Sequence, residues 1–383
     1  MKSEWKKVSV SDLGRIVTGK TPKTAISEYY GGCIPFLTPS DDMSVKYVLS
    51  TSKTITESGK NSVKNAVIPK NSICVSCIGS DLGKVVITTK ETVTNQQINS
   101  VIVNTELYDV DFVYYAMVVL GKVLNYHSKT STAVPIVNKS TFSQYEILCP
   151  ELSEQRKIAR ILSEIDSKIA MNTAINENLE QQAQALFKAW FVDFEPFGGV
   201  MPDDWQKSTL GDVSEMGAGG DKPQNATPTA THDNTVPIYS NGITDEGLYG
   251  FTNKAKIQDE SVTVSARGTI GYVCLRQVPY VPIVRLVTLI PNKRIVSAKF
   301  LYHWLKTLHI AGTGTTQQQL TVPSFKKTEI IVPEYSIMEK FTVTINPLYE
   351  HILANKNQNQ HLAALRDTLL PKLMNGEIDV SKV

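Results

Sequence analysis

The chain has 383 residues, of which 42% are hydrophobic and 20% are charged, and its formal net charge at pH 7 is +2. This composition is typical of a globular protein large enough to bury two cores, and it argues against a disordered chain. The sequence contains no run of about 18 apolar residues and begins without an apolar segment, so we expect no membrane span, no signal peptide and a cytoplasmic location.

Short strands and one helix are predicted for residues 1–150. Runs rich in Val, Ile and Thr, such as NAVIPKNSICVSC, GKVVITT and QINSVIVN, are broken by Gly, Pro, Asn and Asp, which is typical of strands. The later segment VDFVYYAMVVLGKVLNYH has the length and the apolar spacing of a helix. We therefore predict an α+β domain over residues 1–150.

A long helix is predicted over residues 151–195. It should begin near Ser153, which can cap a helix, and end near Phe194, before EPFGG. At 1.5 Å per residue, a helix of roughly 40 residues is about 60 Å long. Its apolar and asparagine positions alternate in steps of four and three residues, the heptad pattern of a coiled-coil seam. These positions are Ile158, Leu162, Ile165, Ile169, Asn172, Asn176, Leu179, Ala183, Leu186 and Trp190.

The second half of the chain repeats this order. The runs DESVTVSARGTIGYVCLRQ and VRLVTLIPN precede the helical SAKFLYHWLKTLH, so we predict a second α+β domain over residues 196–333. A second long helix is predicted within residues 334–383, beginning near Ser336 and ending before MNGEIDV, where Gly376 is a natural terminator. Because Pro347 lies inside this helix, we expect a kink or a late start there.

The two halves of the sequence repeat each other. WKKVSVSDLG matches WQKSTLGDVS, SICVSCIGSDLG matches SVTVSARGTIG, and ILCPELSEQRKI matches IIVPEYSIMEKF. A period of about 190 residues is too long for a solenoid repeat and indicates two duplicated domains, each followed by its own helix. The heptad seam recurs 183 residues later at Phe341, Ile345, Leu348, Ile352, Asn355, Asn359, Leu362, Arg366, Leu369 and Leu373.

The duplicated asparagines predict how the two helices pair. If the helices pack antiparallel with their centres aligned, Asn172 faces Asn359 and Asn176 faces Asn355. Polar residues in an apolar seam lower stability but pair favourably in one alignment, so these asparagines would specify the helix register. Antiparallel pairing of duplicated halves also predicts an internal pseudo-twofold axis. In the alternative, the asparagines face solvent or another subunit.

Motifs that could carry catalysis are weak. The segment GRIVTGKT, Gly14–Thr21, matches the phosphate-binding loop pattern with Lys20 on the phosphates, but Pro22 follows where a helix should begin. A C-x-x-C motif at Cys74 lacks a second ligand pair, and the six histidines show no metal-ligand spacing. We therefore predict that this chain has no bound metal or cofactor and no catalysis of its own. A nucleotide-dependent enzyme that uses Lys20 is the alternative.

Polar loops beside the strands are the remaining candidates for binding. Their side chains have the chemistry to hold phosphates and to read the base edges of DNA. In the first domain the candidates are Lys20, Lys23, Thr38, Ser40, Asn95, Gln96, Gln97, Lys129 and Thr130. In the second domain they are Lys222, Gln224, Asn241, Arg267, Arg285, Thr316, Gln317 and Gln318.

The layout and several phrases resemble the specificity subunits of type I restriction-modification systems over essentially the whole chain. The phrases are ELSEQRKIARILSEIDSKI, SARGTIG and LRDTLLPKLMNGEIDV, in that combination. The resemblance implies two target recognition domains, each reading one half of a bipartite double-stranded DNA target, separated by two long antiparallel coiled-coil helices. It also implies docking of two modification (methyltransferase) subunits, which carry S-adenosylmethionine and methylate adenine, and of endonuclease/translocase subunits.

Differences between the two domains predict an asymmetric DNA target. The second domain has SARGTIG where the first has VSCIGSDLG, so a DNA role of Arg267 does not extend to the first domain. Two alternative functions remain open. The chain could be the DNA-recognition subunit of a methylation-only system, or a coiled-coil scaffold protein without specific DNA contact.

Overall fold

The computed structural model describes residues 5–79, 82–129, 136–310, 312 and 319–380. Its internal contacts divide the chain into two compact units. Unit one comprises Met1–Asn172 and Gln358–Val383, and unit two comprises Thr173–Asn357. Each unit combines strands with helices, so the predicted α+β class is confirmed. In the described ranges, no helix is both long and apolar enough to cross a membrane.

The α-helices range in length from 4 residues to 40 residues. In chain order they are α1 Glu57–Ser62, α2 Val110–Lys129, α3 Lys139–Gln144, α4 Leu152–Phe191, α5 Leu210–Val213, α6 Ala298–Thr307, α7 Val322–Phe325 and α8 Tyr335–Met374. Short 3-10 helices cover Ser27–Tyr29, Lys64–Ala66, Glu195–Phe197 and Thr244–Gly247.

The strands are short, and the runs of Val, Ile and Thr predicted those at Val67–Ile68, Ile73–Ser76, Val85–Thr88, Ile98–Val103, Ser261–Val264, Val273–Arg276 and Val287–Pro291. In unit one they are β1 Lys6–Ser9, β2 Gly14–Thr18, β3 Tyr30–Leu37, β4 Tyr47–Val48, β5 Lys53–Ile55, β6 Val67–Ile68, β7 Ile73–Ser76, β8 Val85–Thr88, β9 Thr92–Thr94, β10 Ile98–Val103 and β11 Glu146–Cys149. In unit two they are β12 Gln206–Thr209, β13 Ser214–Ala218, β14 Val236–Tyr239, β15 Leu248–Thr252, β16 Ser261–Val264, β17 Val273–Arg276, β18 Val281–Pro282, β19 Val287–Pro291 and β20 Glu329–Val332.

In unit one, the strands form two larger sheets and one antiparallel pair. The first sheet has the order β2-β10-β7-β8-β4, the second has the order β5-β3-β9-β6, and β1 pairs with β11. Helix α2 packs on β7 and β8 and buries Phe112 and Met117. The same core takes Ile158 and Leu162 from α4 and Leu373 from α8, so both long helices complete unit one.

Unit two repeats this topology. The sheet β13-β19-β16-β17 corresponds to β2-β10-β7-β8, the sheet β15-β14-β18 corresponds to β5-β3-β9, and β12 pairs with β20. In each unit the second sheet contains one parallel pair, β3 with β9 and β14 with β18. The core of unit two takes Phe187 from α4 and Phe341 and Ile345 from α8. The duplication predicted from the sequence is therefore confirmed in the fold.

Both long helices lie close to their predicted positions. Helix α4 begins one residue before Ser153 and ends three residues before Phe194. Helix α8 begins one residue before Ser336 and ends at Met374. Gly376 has a φ of 73° and terminates α8 as predicted, because glycine adopts the left-handed conformation without steric cost.

Of the kink or late start expected at Pro347, the late start is wrong, because α8 runs through this residue. Proline lacks a backbone N–H and therefore removes one hydrogen bond from a helix. The side chains of Ile345, Tyr349 and Ile352, on both sides of it, are 0%, 3% and 4% exposed. Their packing in the core of unit two outweighs the missing hydrogen bond and keeps the segment helical.

In unit one the helices α4 and α8 pair antiparallel through side-chain amides, of which that of Asn172 is buried and that of Asn359 is half-buried. Asn172 is 0% exposed, and its Nδ2 donates to Oδ1 of Asn359 at 2.8 Å and to Oε1 of Gln358 at 2.7 Å. The Asn359 amide in turn donates to the Ile169 carbonyl at 3.3 Å. The predicted facing of Asn172 and Asn359 is observed.

In unit two the same helices pair in the same register. Nδ2 of Asn355 donates to Oδ1 of Asn176 at 2.9 Å, as the sequence predicted. Further along this seam the rings of Trp190 and Phe341 lie with centroids 6.0 Å apart. That these amide pairs specify the register stays a prediction.

The double substitution Asn172→Leu with Asn359→Leu tests this role. We expect the free energy of unfolding to rise by about 1 kcal/mol, which raises the melting temperature by about 2–4 °C, because apolar side chains replace one buried amide and one half-buried amide. We also expect the protein to lose its single assembly state, because an all-apolar seam no longer disfavours other alignments. Thermal unfolding and native mass spectrometry measure these two effects.

The control is Asn172→Leu alone. It removes the hydrogen bonds that Asn172 donates to Asn359 and Gln358, and it should lower the melting temperature. If the double variant keeps the same melting temperature and a single assembly state, Asn172 and Asn359 do not specify the register of α4 against α8.

Candidate functional site

In unit one, the loops that follow four strands converge at one place. We call residues 19–23, 38–41, 77–79 and 95–97 loop cluster one; they follow β2, β3, β7 and β9, respectively. The backbone N–H to C=O hydrogen bonds that join them are Gly19 to Ile98 at 3.0 Å, Lys20 to Thr94 at 2.8 Å, Asn95 to Leu37 at 3.1 Å and Cys77 to Gln97 at 2.7 Å. A Cβ on Gly19 would lie 2.1 Å from the Asn95 carbonyl oxygen, so this convergence requires glycine.

Unit two builds the same convergence from the equivalent strands. We call residues 219–224, 240–247, 266–268 and 283–285 loop cluster two; they follow β13, β14, β16 and β18. Its backbone hydrogen bonds are Gly219 to Leu286 at 2.9 Å, Gly220 to Pro282 at 3.3 Å, Ile283 to Tyr239 at 2.9 Å and Val284 to Gly220 at 2.9 Å. A Cβ on Gly219 would lie 2.8 Å from the Ile283 backbone, so glycine is required here as well. Each unit therefore carries one polar loop cluster in the same place.

Most of the predicted residues of the first domain lie in loop cluster one. Lys20 and Lys23 are exposed. Gln96 is exposed and accepts a hydrogen bond from the Thr21 hydroxyl at 2.7 Å, whereas Asn95 is buried and donates to Gln97 at 2.8 Å. Asn95 thus shapes the loop, and Gln96 presents an amide to solvent.

Two predicted residues of the first domain, Lys129 and Thr130, are not part of loop cluster one as described. Lys129 is the exposed last residue of α2 and lines a shallow cavity of about 390 Å³ with Lys84 and Lys122. The predicted residues Thr130, Thr316, Gln317 and Gln318 lie outside the described residues.

The hydroxyl groups of Thr38 and Ser40 are organised by a carboxylate that the sequence analysis missed. Asp41 accepts from the Thr38 hydroxyl at 3.0 Å and from the backbone N–H of Ser52 at 2.7 Å, and the Ser40 hydroxyl lies 2.7 Å from that of Thr38. Burial acts to raise the pKa of Asp41, but the hydrogen bonds from Ser52 and Thr38 outweigh it and lower the pKa. The carboxylate therefore stays charged and fixes the turn. The signal for it was the turn-forming sequence TPSD.

Loop cluster two is richer in cations. Lys222 is exposed with its Nζ 5.5 Å from the centre of the Tyr249 ring, and Gln224 is exposed nearby in sequence. Both Nε and Nη2 of Arg267 donate to Oε1 of Gln319, at 3.1 Å and 2.8 Å. Arg285 is exposed. At the equivalent positions unit one has Ile78 for Arg267 and Gln97 for Arg285.

Asn241 links two loops of cluster two through its side-chain amide. Its Nδ2 donates to the Val284 carbonyl at 2.6 Å, and its Oδ1 accepts from the backbone N–H of Ala266 at 2.8 Å. In unit one the equivalent N–H, that of Cys77, instead donates to the backbone carbonyl of Gln97. The predicted residue Asn241 therefore replaces a backbone contact and holds the turn at Val284.

The turn at Val284 and Arg285 is strained. The two residues have φ values of 52° and 60°, in the left-handed region that β-branched residues rarely adopt. Val284 is 52% exposed, so packing does not explain its conformation. Strain of this kind persists only where the surrounding hydrogen bonds outweigh it, and it is concentrated at functional sites.

A buried arginine holds another loop of this cluster. Arg276 is 3% exposed, lies with its guanidinium 3.6 Å from the centre of the Tyr239 ring, and donates to the Glu246 carbonyl at 2.7 Å. Asp245 and Glu246 have φ values of 48° and 56°. Arg276 is not among the residues predicted from the sequence, because an arginine at the end of a strand resembles an ordinary surface residue.

The other groups with catalytic potential have structural roles. Burial lowers the pKa of His303 to about 3, and its ring lies between Gln184 and Tyr349 at 2.8 Å from each. Burial raises the pKa of the Cys74 thiol to about 12 and that of Cys77 to about 11, so both stay protonated. Residues of the GRIVTGKT motif form β2 rather than a loop that opens a helix. In the described ranges, no group of His, Cys, Asp and Glu residues is placed to hold a metal ion.

Comparison with known proteins identifies similar chains. A family model described as "Type I restriction modification DNA specificity domain" matches residues 2–181 and 202–364. The specificity subunit of the type I restriction enzyme MjaIX from Methanocaldococcus jannaschii is 28% identical, over 99% of this chain and 95% of that protein. The HindI specificity subunit from Haemophilus influenzae is 24% identical, over 98% of this chain and 100% of that protein. The solved S subunit from M. genitalium shares the fold, with a TM-score of 0.58 and 18% identity over 97% of this chain and 96% of that one.

The substitution Val284→Gly tests the strain in cluster two. Removing the β-branched side chain relieves the left-handed conformation, so we expect the free energy of unfolding to rise by about 0.5–1 kcal/mol, measured by thermal or urea unfolding. The matched control is Val343→Gly, because Val343 is 63% exposed inside α8 and has no strain to release. The control variant should be less stable than the unsubstituted chain. An equal loss of stability in both variants would show that the turn at Val284 is not strained.

Proposed function

The chain belongs to the family of type I restriction-modification DNA specificity proteins, and on this basis we propose that it selects the DNA sequence on which a restriction-modification complex acts. It reads a bipartite double-stranded target, one half-site with loop cluster one and the other with loop cluster two. The observation that carries this proposal is the recurrence of one polar loop cluster, on the same strand ends, in both units.

The chemistry of both clusters supports contact with DNA. Exposed cations such as Lys20, Lys23 and Lys222 suit phosphate oxygens, which account for most of the salt-dependent affinity of DNA-binding proteins. Exposed amide and guanidinium groups such as Gln96 and Arg285 suit the base edges of the major groove. These residues, with the remaining candidates of the two clusters, form the proposed interface.

Divergence of the two clusters makes the target asymmetric. Where the backbones correspond, the side chains differ, as at Gln97 and Arg285. Each half-site therefore has its own base sequence. The helices α4 and α8 act as the spacer, so an unread stretch of about half to one DNA turn separates the half-sites.

Catalysis belongs to partner subunits in this proposal. Two modification subunits that carry S-adenosylmethionine dock on the chain and methylate adenine, because a duplicated chain offers each of them an equivalent surface. Endonuclease/translocase subunits join this complex for restriction. The chain itself contributes recognition and positioning in the cytoplasm.

A methylome comparison tests the proposed function. Cells with the chain and its modification subunit should carry methyladenine at one asymmetric, gapped motif, and this methylation should disappear when the chain is deleted. Single-molecule sequencing measures both. An unchanged methylome, with the subunits still associated, would favour the scaffold alternative.

The double variant Lys20→Gln with Lys23→Gln tests the phosphate contacts. We expect weaker DNA binding by the assembled complex and a plot of log affinity against log salt whose slope is smaller by about 1–2, because each phosphate contact contributes about 0.9. The motif itself should not change. The control is Lys6→Gln. Lys6 is exposed and lies on β1, which leads into the start of β2, whereas loop cluster one follows the end of β2. A salt slope equal to that of the control would contradict phosphate contact by Lys20 and Lys23.

A further inference from the structure

We propose that Arg285 reads a guanine in the half-site of unit two, and that the strained turn at Val284 and Arg285 exists to aim this side chain. The inference rests on the proposed function and adds the chemical identity of one recognised base. Three observations support it: the geometry of the turn, the exposure of the Arg285 guanidinium, and the different residue at the equivalent position of unit one.

The turn is held in place by contacts from two loops. The backbone N–H of Val284 donates to Gly220 at 2.9 Å and that of Arg285 donates to Gly219 at 3.1 Å. On its other side the Val284 carbonyl accepts from the Asn241 amide at 2.6 Å. A backbone fixed at three points gives the side chain of Arg285 a defined origin and direction.

The guanidinium of Arg285 is available. The side chain is exposed, and among the residues that the structure describes it makes no hydrogen bond or ion pair. Arg267, by contrast, is held by two hydrogen bonds to Gln319. The planar fork of an arginine matches O6 and N7 of guanine, which both accept hydrogen bonds in the major groove.

A base contact explains the strain better than a phosphate contact does. A phosphate accepts hydrogen bonds from many directions and can be reached by a flexible lysine, such as the exposed Lys222 of the same cluster. Two parallel hydrogen bonds to one base edge require the guanidinium to be placed accurately. A rigid turn supplies this accuracy, and strained backbone is retained where position matters to function.

Unit one lacks this reader. Its equivalent residue is Gln97, whose side chain accepts a hydrogen bond from Asn95 at 2.8 Å inside the loop. Neither Gln96 nor Gln97 lies in the left-handed region. The guanine read by a turn arginine should therefore belong to one half-site and not to the other.

The test compares methyladenine motifs in cells that express the full chain with its modification subunit. Arg285→Gln removes the charge, Arg285→Lys keeps the charge but removes the fork, and Lys327→Gln is a control. Lys327 is exposed, and its neighbours Lys326 and Thr328 contact Gly211 and Leu210, which precede β13. Loop cluster two lies at the other end of β13, where Gly219 follows the strand. Melting temperatures of the purified complexes verify that each variant is folded, and the conservative Arg285→Lys keeps the test informative if Arg285→Gln is unstable.

We expect the unsubstituted chain to require guanine at one position of one half-site. Both Arg285 variants should lower the discrimination against other bases at that position by about 5- to 150-fold, the range for one bidentate base contact. The other positions, the other half-site and the Lys327→Gln motif should stay unchanged.

Three results would overturn the inference while leaving the proposed function intact. The gapped motif could lack guanine, the Arg285 variants could keep the same motif, or Arg285→Lys could keep full discrimination while Arg285→Gln lowers methylation evenly at all sites. The last result would assign Arg285 to a phosphate. If the unsubstituted chain directs methylation to no motif, the proposed function itself fails.

Discussion

Asparagine pairs, each with one buried member, join α4 and α8 in one antiparallel register, and each core is built against the helix faces that this register presents. In unit one the seam brings Ile158 and Leu373 into the core. In unit two it places the rings of Phe187 and Phe341 with centroids 5.9 Å apart. We expect a slip of one helix to place the amides against apolar side chains, where a polar group without a partner is costly. The register of two helices therefore governs the packing of both units.

The repeated scaffold separates folding from recognition. Backbone hydrogen bonds at the strand ends recur in both units, and Gly19 and Gly219 occupy the same position because a Cβ would collide with the neighbouring loop. The side chains that the two loop clusters carry on this shared backbone differ between the units, as at Gln97 and Arg285. Changes on exposed loops leave the core intact. One fold can thus present two readers of different chemistry.

Buried and charged groups in unit two stabilise the loops that carry its candidate contacts. Arg276 binds the Glu246 carbonyl from β17, and the Glu246 carboxylate forms an ion pair with Lys356 of α8 at 2.6 Å. Arg276 is 3% exposed, and a buried guanidinium without an acceptor is costly, so this hydrogen bond holds Glu246 in place. This arrangement ties the loop that contains Asn241 to the body of unit two.

The sequence by itself determined the duplication, the two long helices and the facing of their asparagines, because heptad spacing and helix terminators are local signals. It also indicated which loops are polar, but not which of them meet. Lys20 lies beside Thr94 only because strands far apart in the chain pair, and no local pattern encodes that contact. The tertiary structure alone decided the left-handed turn at Val284. There the hydrogen bonds to Gly220 and from Asn241 outweigh the steric preference of valine for negative φ.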